Sequence, residues 1–311
     1  MHYLLVGPGA LGCLLYALMA KGMHQNDRFT VLDYNRERAE LLSRRGVIYQ
    51  CGAAERLLPV TTASDPETLE PVDVVLLCVK SYDVKNSLDF CAPILGEKTL
   101  LLFLQNGISH LELDTCGHKA YQAYGTTTEG ATLLGPGHVR HAGSGTTSLG
   151  FITPPDEHFK NLLQKTADTL TRSGLQVNIT GDILARIWTK LFINVGINAL
   201  TATLNCKNGE LLTLPGVDKR MRAAVEEARL VAAAQDIIVP VDPFDAARQV
   251  CRNTAGNISS MLQDVRKKRR TEIDAINGAI VLMAREHGIS TPENDRLVKQ
   301  VKELEATYEN G

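Results

Sequence analysis

The chain has 311 residues, 44% of them hydrophobic and 22% charged, and a formal net charge of -2. This is the composition of an ordinary globular protein, the length favours two domains, and the small net charge argues against nucleic acid or an anionic membrane as a partner. Seven dispersed cysteines without C-x-x-C spacing indicate reduced thiols and a cytoplasmic location, and no stretch is predicted to span a bilayer.

The first half of the chain alternates β-rich runs with helical patterns, which is typical of βαβ units. The predicted elements are strand 2–7, helix 10–22, strand 28–33, helix 36–46, and two strongly apolar strands at 72–80 and 99–107. Their continuous apolar runs predict strands that are buried on both faces of a parallel sheet. Residues 138–153 are predicted to add antiparallel strands at the edge of that sheet.

The pattern becomes helical from about residue 181 to near the end of the chain. The predicted helices are 182–204, 217–236, 243–262 and 270–287. The sequence therefore predicts an α/β fold, with a doubly wound Rossmann-type domain over 1–181 and an all-helical, substrate-binding domain over 182–311.

Three glycines, Gly7, Gly9 and Gly12, form a G-x-G-x-x-G pattern between the first strand and the first helix. In a dinucleotide-binding loop the first glycine allows the turn, the second lets a pyrophosphate approach the backbone, and the third lets helix and strand pack closely. The helix N-terminus then offers free N–H groups to the phosphates. The alternative is a purely structural turn, but the strand and helix context favours dinucleotide binding.

Asp33 ends the second strand, where an acidic side chain accepts hydrogen bonds from a ribose 2′-hydroxyl and thereby favours NAD. Arg36 and Arg38 follow closely and could instead bind the 2′-phosphate of NADP, or they could be solvated charges on a helix. The residues alone leave both cofactors open.

Lys190, Asn194 and Asn198 recur every four residues along an otherwise apolar helix. Such a helix is buried, and buried polar groups need partners, so the stripe is interpreted as one side of a cleft rather than as a wet edge. A desolvated lysine can act as a general acid near neutral pH, and the two asparagines can hold the oxygen atoms of a substrate. This combination suits the reduction of a carbonyl group.

Two later segments carry further candidates, Ser260 in "NISSMLQD" and Glu272 in "TEIDAING". Glu272 borders an apolar helical stripe and could point inward, but only a bend near residues 266–270 would bring it close to Ser260. That basic run, RKKRR, is interpreted as a solvated face rather than a nucleic-acid site, although it could lie beside the phosphates of a cofactor. His138 and His141 are interpreted as strand residues and not as metal ligands.

The chain resembles the ketopantoate reductase family over nearly its whole length. The resemblance is carried by an ordered series of motifs: GPGALG, CVK, QNG, GTTTEGA, WTKLFINVGINALTA, NCKNGEL, NISSMLQD, TEIDAING and AREHGISTPEN. It implies a Rossmann domain, a helical domain and a cleft between them. The implied reaction is the NADPH-dependent reduction of the 2-oxo acid 2-dehydropantoate to pantoate, on the route to pantothenate and coenzyme A.

The resemblance also implies residue roles. Lys190 matches the proton donor, and the matching substrate-binding positions are Asn106, Asn194, Asn198, Asn208 and Ser260. Asn106 touches both substrate and cofactor, and the other matching cofactor-side positions are Gly7, Pro8, Gly9, Ala10, Leu11, Gly12, Lys80, Ala131 and Glu272. Many family members have an arginine after the second strand where this chain has Asp33-Tyr34-Asn35-Arg36. Arg36 is therefore the predicted 2′-phosphate ligand, with NADP as the expected cofactor and NAD as the alternative that Asp33 suggests.

Two other functions compete with this one. The same chemistry could act on another small 2-oxo acid, since the motifs do not define the shape of the pocket. A non-catalytic dinucleotide sensor is the alternative from another class, but a sensor has no need of Lys190 as a proton donor. The sequence leaves a homodimer open.

Overall fold

The computed structural model describes residues 1–111, 113 and 117–308. The chain divides into two compact units. The first comprises Met1–Gln105 and Leu113–Ile183, and the second comprises Asn106–Glu112 and Leu184–Gly311. A short segment from the middle of the α/β half of the sequence thus belongs to the helical unit, which no feature of the sequence indicated.

The first unit is built on two sheets. Its strands are β1 (His2–Val6), β2 (Arg28–Leu32), β3 (Val47–Cys51), β4 (Ala54–Leu58), β5 (Thr61–Ala63), β6 (Val74–Leu77), β7 (Leu100–Phe103), β8 (Tyr121–Thr127), β9 (Gly130–Gly135), β10 (His138–Gly143), β11 (Thr146–Gly150) and β12 (Gln176–Ile179). Its helices are α1 (Ala10–Gly22), α2 (Arg36–Arg45), α3 (Val84–Cys91) and α4 (Glu157–Arg172). The larger sheet has eight strands in the order β12-β11-β8-β7-β6-β1-β2-β5, and the smaller has the order β4-β3-β10-β9.

The parallel centre of the larger sheet confirms the Rossmann prediction. Strands β1, β6 and β7 are buried at every residue, as their unbroken apolar runs predicted. Helix α1 spans its predicted residues, and α2 is followed by its C-cap Gly46, whose φ of 74° lies in the left-handed region that glycine tolerates. These elements place the loops that follow β1, β2 and β6 at one edge of the sheet.

The predicted antiparallel strands at the sheet edge were half right. Strand β11 pairs antiparallel with β8 in the larger sheet. Strand β10 belongs instead to the smaller sheet, where it lies parallel to β3 and antiparallel to β9. Pairing between β3 and β10 joins segments about ninety residues apart in sequence, and periodicity carries no information about such partners.

The second unit is helical. Its helices are α5 (Ile183–Leu204), α6 (Val217–Ala234), α7 (Pro243–Asn253), α8 (Ser260–Arg266), α9 (Asn277–Glu286) and α10 (Pro292–Ala306). The predicted helix 243–262 was wrong as a single element, since it is divided into α7 and α8. Ser259 begins α8 as its N-cap by accepting a hydrogen bond from the backbone N–H of Leu262.

The predicted helix 270–287 was also too long. A short 3₁₀ turn, Ile273–Ala275, precedes α9. Between α8 and that turn the chain bends at Lys268, whose φ is 50°. The bend anticipated near the basic run is therefore present, and residues 266–270 are all exposed.

The prediction that no stretch is long and apolar enough to span a bilayer was wrong for helix α5, whose 22 residues meet that condition by length and composition alone. However, 67% of its most apolar window is buried inside the protein. A helix in the core of a protein is apolar on nearly all sides because all of its sides pack against other elements. Packing therefore explains the hydrophobicity of α5.

Candidate active site

The glycine loop has the geometry that a dinucleotide-binding turn needs. Gly7 has a φ of 91°, and a Cβ there would lie 2.6 Å from a Val79 side-chain carbon. A Cβ on Gly12 would lie 2.2 Å from the carbonyl oxygen of Gly7, so the third glycine is required for close packing of strand and helix. A Cβ on Gly9, by contrast, would meet no heavy atom within 4 Å.

The open space at Gly9 adjoins the start of α1. Gly9 is the N-cap of that helix, no side chain caps it, and its first turn contains no acidic residue. Pro8, Ala10 and Leu11 complete the loop. Uncapped N–H groups next to open space suit an anion, so these residues fit the pyrophosphate of a dinucleotide.

A cavity of about 390 Å³ opens beside this loop, within the first unit. Its walls come from the carboxyl ends of β1 and β2, from the segment after β6 and from α3. The lining residues are Val6, Gly7, Leu32, Asp33, Tyr34, Val79, Asp83, Asn86, Ser87 and Phe90. Its position at the carboxyl edge of a parallel sheet is the one where such folds bind the adenosine half of a dinucleotide.

Asp33, which is buried, and Arg38, which is partly exposed, form an ion pair at the wall of this cavity. Arg38 donates to Asp33 through Nε, and through Nη2 to Oδ1 at 2.6 Å. The backbone N–H of Asn35 donates to the same Oδ1 at 3.0 Å. These hydrogen bonds to Asp33 raise the pKa of Arg38. Both carboxylate oxygens are therefore engaged within the protein before any ribose arrives.

Arg36 points elsewhere. Its Nε donates to Glu40 Oε1 at 3.0 Å, and its side chain is 82% exposed. Arg38 therefore contacts a residue that lines the cavity, Asp33, whereas Arg36 does not. Two other predicted cofactor residues belong to the same unit. Lys80 lies at the start of a 3₁₀ turn after β6, and Ala131 lies in β9 opposite His141.

The second unit holds a line of three polar side chains. Lys190 Nζ donates to Asn106 Oδ1 at 2.8 Å. Asn106 Nδ2 donates in turn to Glu272 Oε2 at 3.1 Å. Asn106 thereby presents its oxygen to the cation and its nitrogen to the anion, which fixes the orientation of the amide.

Burial lowers the pKa of Lys190 to about 8, while the negative charge of Glu272 acts in the opposite direction. Desolvation penalises the ammonium form, and the carboxylate partly restores it. A lysine with a pKa near 8 is still largely protonated at neutral pH and releases its proton far more readily than an exposed lysine does. This is the property that a general acid needs.

A short loop brings Asn106 into the helical unit. Ile108 N donates to Ala275 O at 3.1 Å. Gly107 has a φ of 77°, and a Cβ there would lie 2.1 Å from that same carbonyl oxygen. His110 follows in the loop and is 2% exposed, and burial lowers its pKa to about 4, so it is neutral at pH 7. His110 is not among the residues predicted from sequence, because a single histidine in a loop belongs to no recognisable pattern.

The other predicted substrate residues belong to the same unit. Asn194 and Asn198 lie one and two turns beyond Lys190 on α5, and Ser260 is the first residue of α8. Among the described residues, none forms a hydrogen bond with the side chains of Asn194, Asn198 or Ser260. Asn208 is more constrained, since its Nδ2 donates to Thr254 Oγ1 at 2.9 Å. Its buried Oδ1 has no partner among the described residues, so all four of these predicted substrate residues keep some free hydrogen-bonding capacity.

Glu272 is 5% exposed, as its place beside an apolar stripe had suggested. His138 and His141 are both strand residues of β10, as expected. Within residues 1–111, 113 and 117–308, no group of three or more His, Cys, Asp or Glu side chains is arranged to hold a metal ion.

A glycine-rich turn between strand and helix of a parallel sheet, and a desolvated lysine hydrogen-bonded to an amide, are features typical of dinucleotide-dependent oxidoreductases. The family profile described as "Ketopantoate reductase PanE/ApbA" matches residues 3–154, and its C-terminal counterpart matches residues 182–305. The chain belongs to the ketopantoate reductase family.

Relatives named 2-dehydropantoate 2-reductase match almost end to end. The protein of Escherichia coli O157:H7 is 34% identical over 99% of this chain and 97% of its own length. That of Halobacterium salinarum is 33% identical over 94% of this chain and 95% of its own length. The confirmed predictions are the family, the fold class and the assignment as an oxidoreductase.

Two solved structures superpose closely. A ketopantoate reductase of the same family from Ralstonia eutropha has a TM-score of 0.89 at 28% identity, covering 99% of this chain and all of that one. D-mandelate dehydrogenase with NADH and anilino(oxo)acetate has a TM-score of 0.90 at 26% identity, with the same coverage. Family and fold together establish a nicotinamide dinucleotide as the cofactor and a small keto acid as the class of substrate.

Proposed function

We propose that this enzyme reduces 2-dehydropantoate to pantoate with NADPH, on the route to pantothenate and coenzyme A. The observation that carries the proposal is the line from Lys190 through Asn106 to Glu272, with the pKa of Lys190 lowered to about 8. The relatives at 33–34% identity that bear the name of this activity support the choice of substrate.

The glycine loop would hold the reduced nicotinamide dinucleotide, which would supply the hydride for the carbonyl carbon of the substrate. Lys190 donates its proton to the carbonyl oxygen as negative charge develops there, which completes the alcohol. The neutral amine then regains a proton from water. Asn106 holds Lys190 in place, and Glu272 keeps the ammonium form populated at neutral pH.

The substrate groups come from α5 and the start of α8. The amides of Asn194 and Asn198 and the hydroxyl of Ser260 have no partner among the described side chains, so they can bind the carboxylate and hydroxyl of the oxo acid. Asn208, whose buried Oδ1 has no partner among the described residues, is the fourth substrate residue in this proposal. Unpairing one such contact is expected to weaken transition-state binding by about 1–3 kcal/mol.

We further propose that NADPH is preferred and that Arg38 replaces Arg36 as its 2′-phosphate ligand. A guanidinium has five N–H donors, and Asp33 engages one on Nε and one on Nη2. The remaining donors are available to a phosphate, while the pairing neutralises a carboxylate that would otherwise repel it. Lys80, Ala131 and the glycine loop complete the cofactor site in this proposal.

A second candidate function is the reduction of a different 2-oxo acid with NADH. It is favoured by the superposition on D-mandelate dehydrogenase, whose structure holds NADH and anilino(oxo)acetate, and by the acidic Asp33 after the second strand. The two candidates share Lys190 chemistry and differ in pocket shape and cofactor.

One assay separates them. Purified protein is mixed with NADPH or NADH and with 2-dehydropantoate or benzoylformate, and loss of reduced nicotinamide is followed by absorbance. Fastest turnover with 2-dehydropantoate and NADPH supports the first proposal. Turnover only of benzoylformate selects the second, and cofactor binding without any turnover selects a dinucleotide sensor.

A further inference from the structure

We infer that Thr201 is a positioning residue, which holds the start of α8 against α5 and so sets the distance between Asn198 and Ser260. The inference rests on the proposed role of these two residues in binding the oxo acid. It concerns a threonine that touches no ligand in that proposal.

Thr201 lies one turn after Asn198 and is fully buried. Its hydroxyl is 2.9 Å from Ile197 O and 3.0 Å from Asn198 O, both in its own helix. The same hydroxyl is hydrogen-bonded to Ser259 Oγ at 2.7 Å. The threonine therefore links the helix that carries Asn198 to a residue of another element.

Ser259 completes the link. It is the N-cap of α8, 6% exposed, and its Oγ accepts from the backbone N–H of Leu262 at 3.1 Å. Ser260 follows immediately and is exposed. Because Ser259 is hydrogen-bonded both to its own helix and to α5, the adjacent Ser260 has little freedom to move relative to Asn198.

A second contact ties the other end of α8 to the end of α5, since Arg266 Nε donates to Asn205 Oδ1 at 3.0 Å. That contact is exposed, and solvent can replace it at little cost. The contact between Thr201 and Ser259 is buried, where an unpaired hydroxyl is costly. The buried link therefore dominates the placement of Ser260.

The test compares Thr201→Val with Thr201→Ser. Valine preserves the shape and removes the hydroxyl, whereas serine keeps the hydroxyl. We expect Thr201→Val to raise the KM for 2-dehydropantoate about tenfold. The kcat and the KM for NADPH should change less than about threefold, since no reacting group is lost. Thr201→Ser should restore most of the substrate KM.

Thr203→Val is the matched control. Thr203 lies on the same helix, its hydroxyl donates to Ala199 O at 2.9 Å, and it forms no hydrogen bond with any described residue of α8. It removes the same kind of intrahelical hydrogen bond but leaves the link intact. Equal effects of Thr201→Val and Thr203→Val on the substrate KM would overturn the inference.

Two further measurements separate positioning from general destabilisation. In a Ser260→Ala background, Thr201→Val should add little to the loss in kcat/KM, because its effect passes through Ser260. Fully additive losses would contradict this. Hydrogen exchange of the first-turn amides of α8 should accelerate in Thr201→Val and not in Thr203→Val.

The exchange measurement needs no turnover. If wild-type protein fails to reduce 2-dehydropantoate, the proposed function fails, and the kinetic comparison is made with the 2-oxo acid that it does reduce. Unchanged exchange at α8 in Thr201→Val overturns the link itself. Faster exchange with an unchanged substrate KM overturns its role in substrate positioning.

Discussion

The ammonium group of Lys190 and the amide oxygen of Asn106 lie 2.8 Å apart, although 84 positions separate the two residues in sequence. Both belong to the helical unit. The loop that carries Asn106 and the long helix α5 therefore contribute to the same polar cluster. The orientation of the Lys190 side chain depends on a loop that comes long before α5 in the sequence.

Replacing Lys190 with alanine should lower kcat by about 10²–10⁴, the usual contribution of a positioned general acid. The fold should persist, because Glu272 keeps its hydrogen bond from Asn106 Nδ2 when Lys190 is lost. Arg186→Ala on the exposed side of the same helix is the control and should leave kcat unchanged. Near-normal turnover of the Lys190 variant would remove it from the mechanism.

The pH profile of kcat should fall as pH rises through about 8, because the proton donor is then lost. Glu272→Gln removes the charge that raises the pKa of Lys190, so burial acts unopposed and the descending limb should move to lower pH. Glutamine retains an oxygen that can accept from Asn106. Profiles are measured at saturating cofactor, and a limb that stays in place or moves to higher pH contradicts the electrostatic role of Glu272.

Gly9→Val should abolish cofactor binding and leave the fold intact. A side chain at this position enters open space, and the backbone there has a negative φ. Gly12→Ala is the contrasting variant, because its Cβ would lie 2.2 Å from Gly7 O and should lower the melting temperature. Cofactor titration and thermal unfolding of both variants check this. A Gly9→Val protein that binds NADPH normally would show that the loop does not hold the phosphates.

Arg38→Ala should weaken the binding of NADPH much more than that of NADH, since the substitution removes the guanidinium and exposes the negative charge of Asp33. Arg36→Ala, whose side chain faces Glu40, should have little effect on either cofactor. The comparison is made as the ratio of kcat/KM for the two cofactors. A wild-type preference for NADH that Asp33→Ala relaxes would reverse the proposal.

The sequence predicted those parts of the fold that depend on local pattern. Gly7, Gly9 and Gly12 each lie in the environment expected from their spacing, and α1 begins and ends where the apolar period and Gly22 indicated. Arg36 was favoured by proximity to the strand, but proximity does not determine the direction of a side chain. On α2, Arg38 lies on the side of Asp33, whereas Arg36 lies beside Glu40.

Other features could not be read from local pattern. The pairing of β10 with β3 and the contact of Ile108 with Ala275 join distant segments, and nothing in either segment encodes its partner. The division of the predicted helix 243–262 had a weak signal, since Ser259 is a good N-cap residue and Gly256 a helix breaker. The helical spacing of apolar residues on both sides of this break obscured the signal.

The loop around Asn106 makes the helical unit discontinuous along the chain, since the polypeptide passes from one unit to the other three times. A fragment beginning at residue 182 would therefore contain every helix of this unit but lack Ile108 and His110, which are almost fully buried. It would expose apolar surface around Ala275 and leave Glu272 and Lys190 without the amide between them. Exchange of the helical half between relatives should accordingly succeed only when the Asn106 loop is exchanged with it.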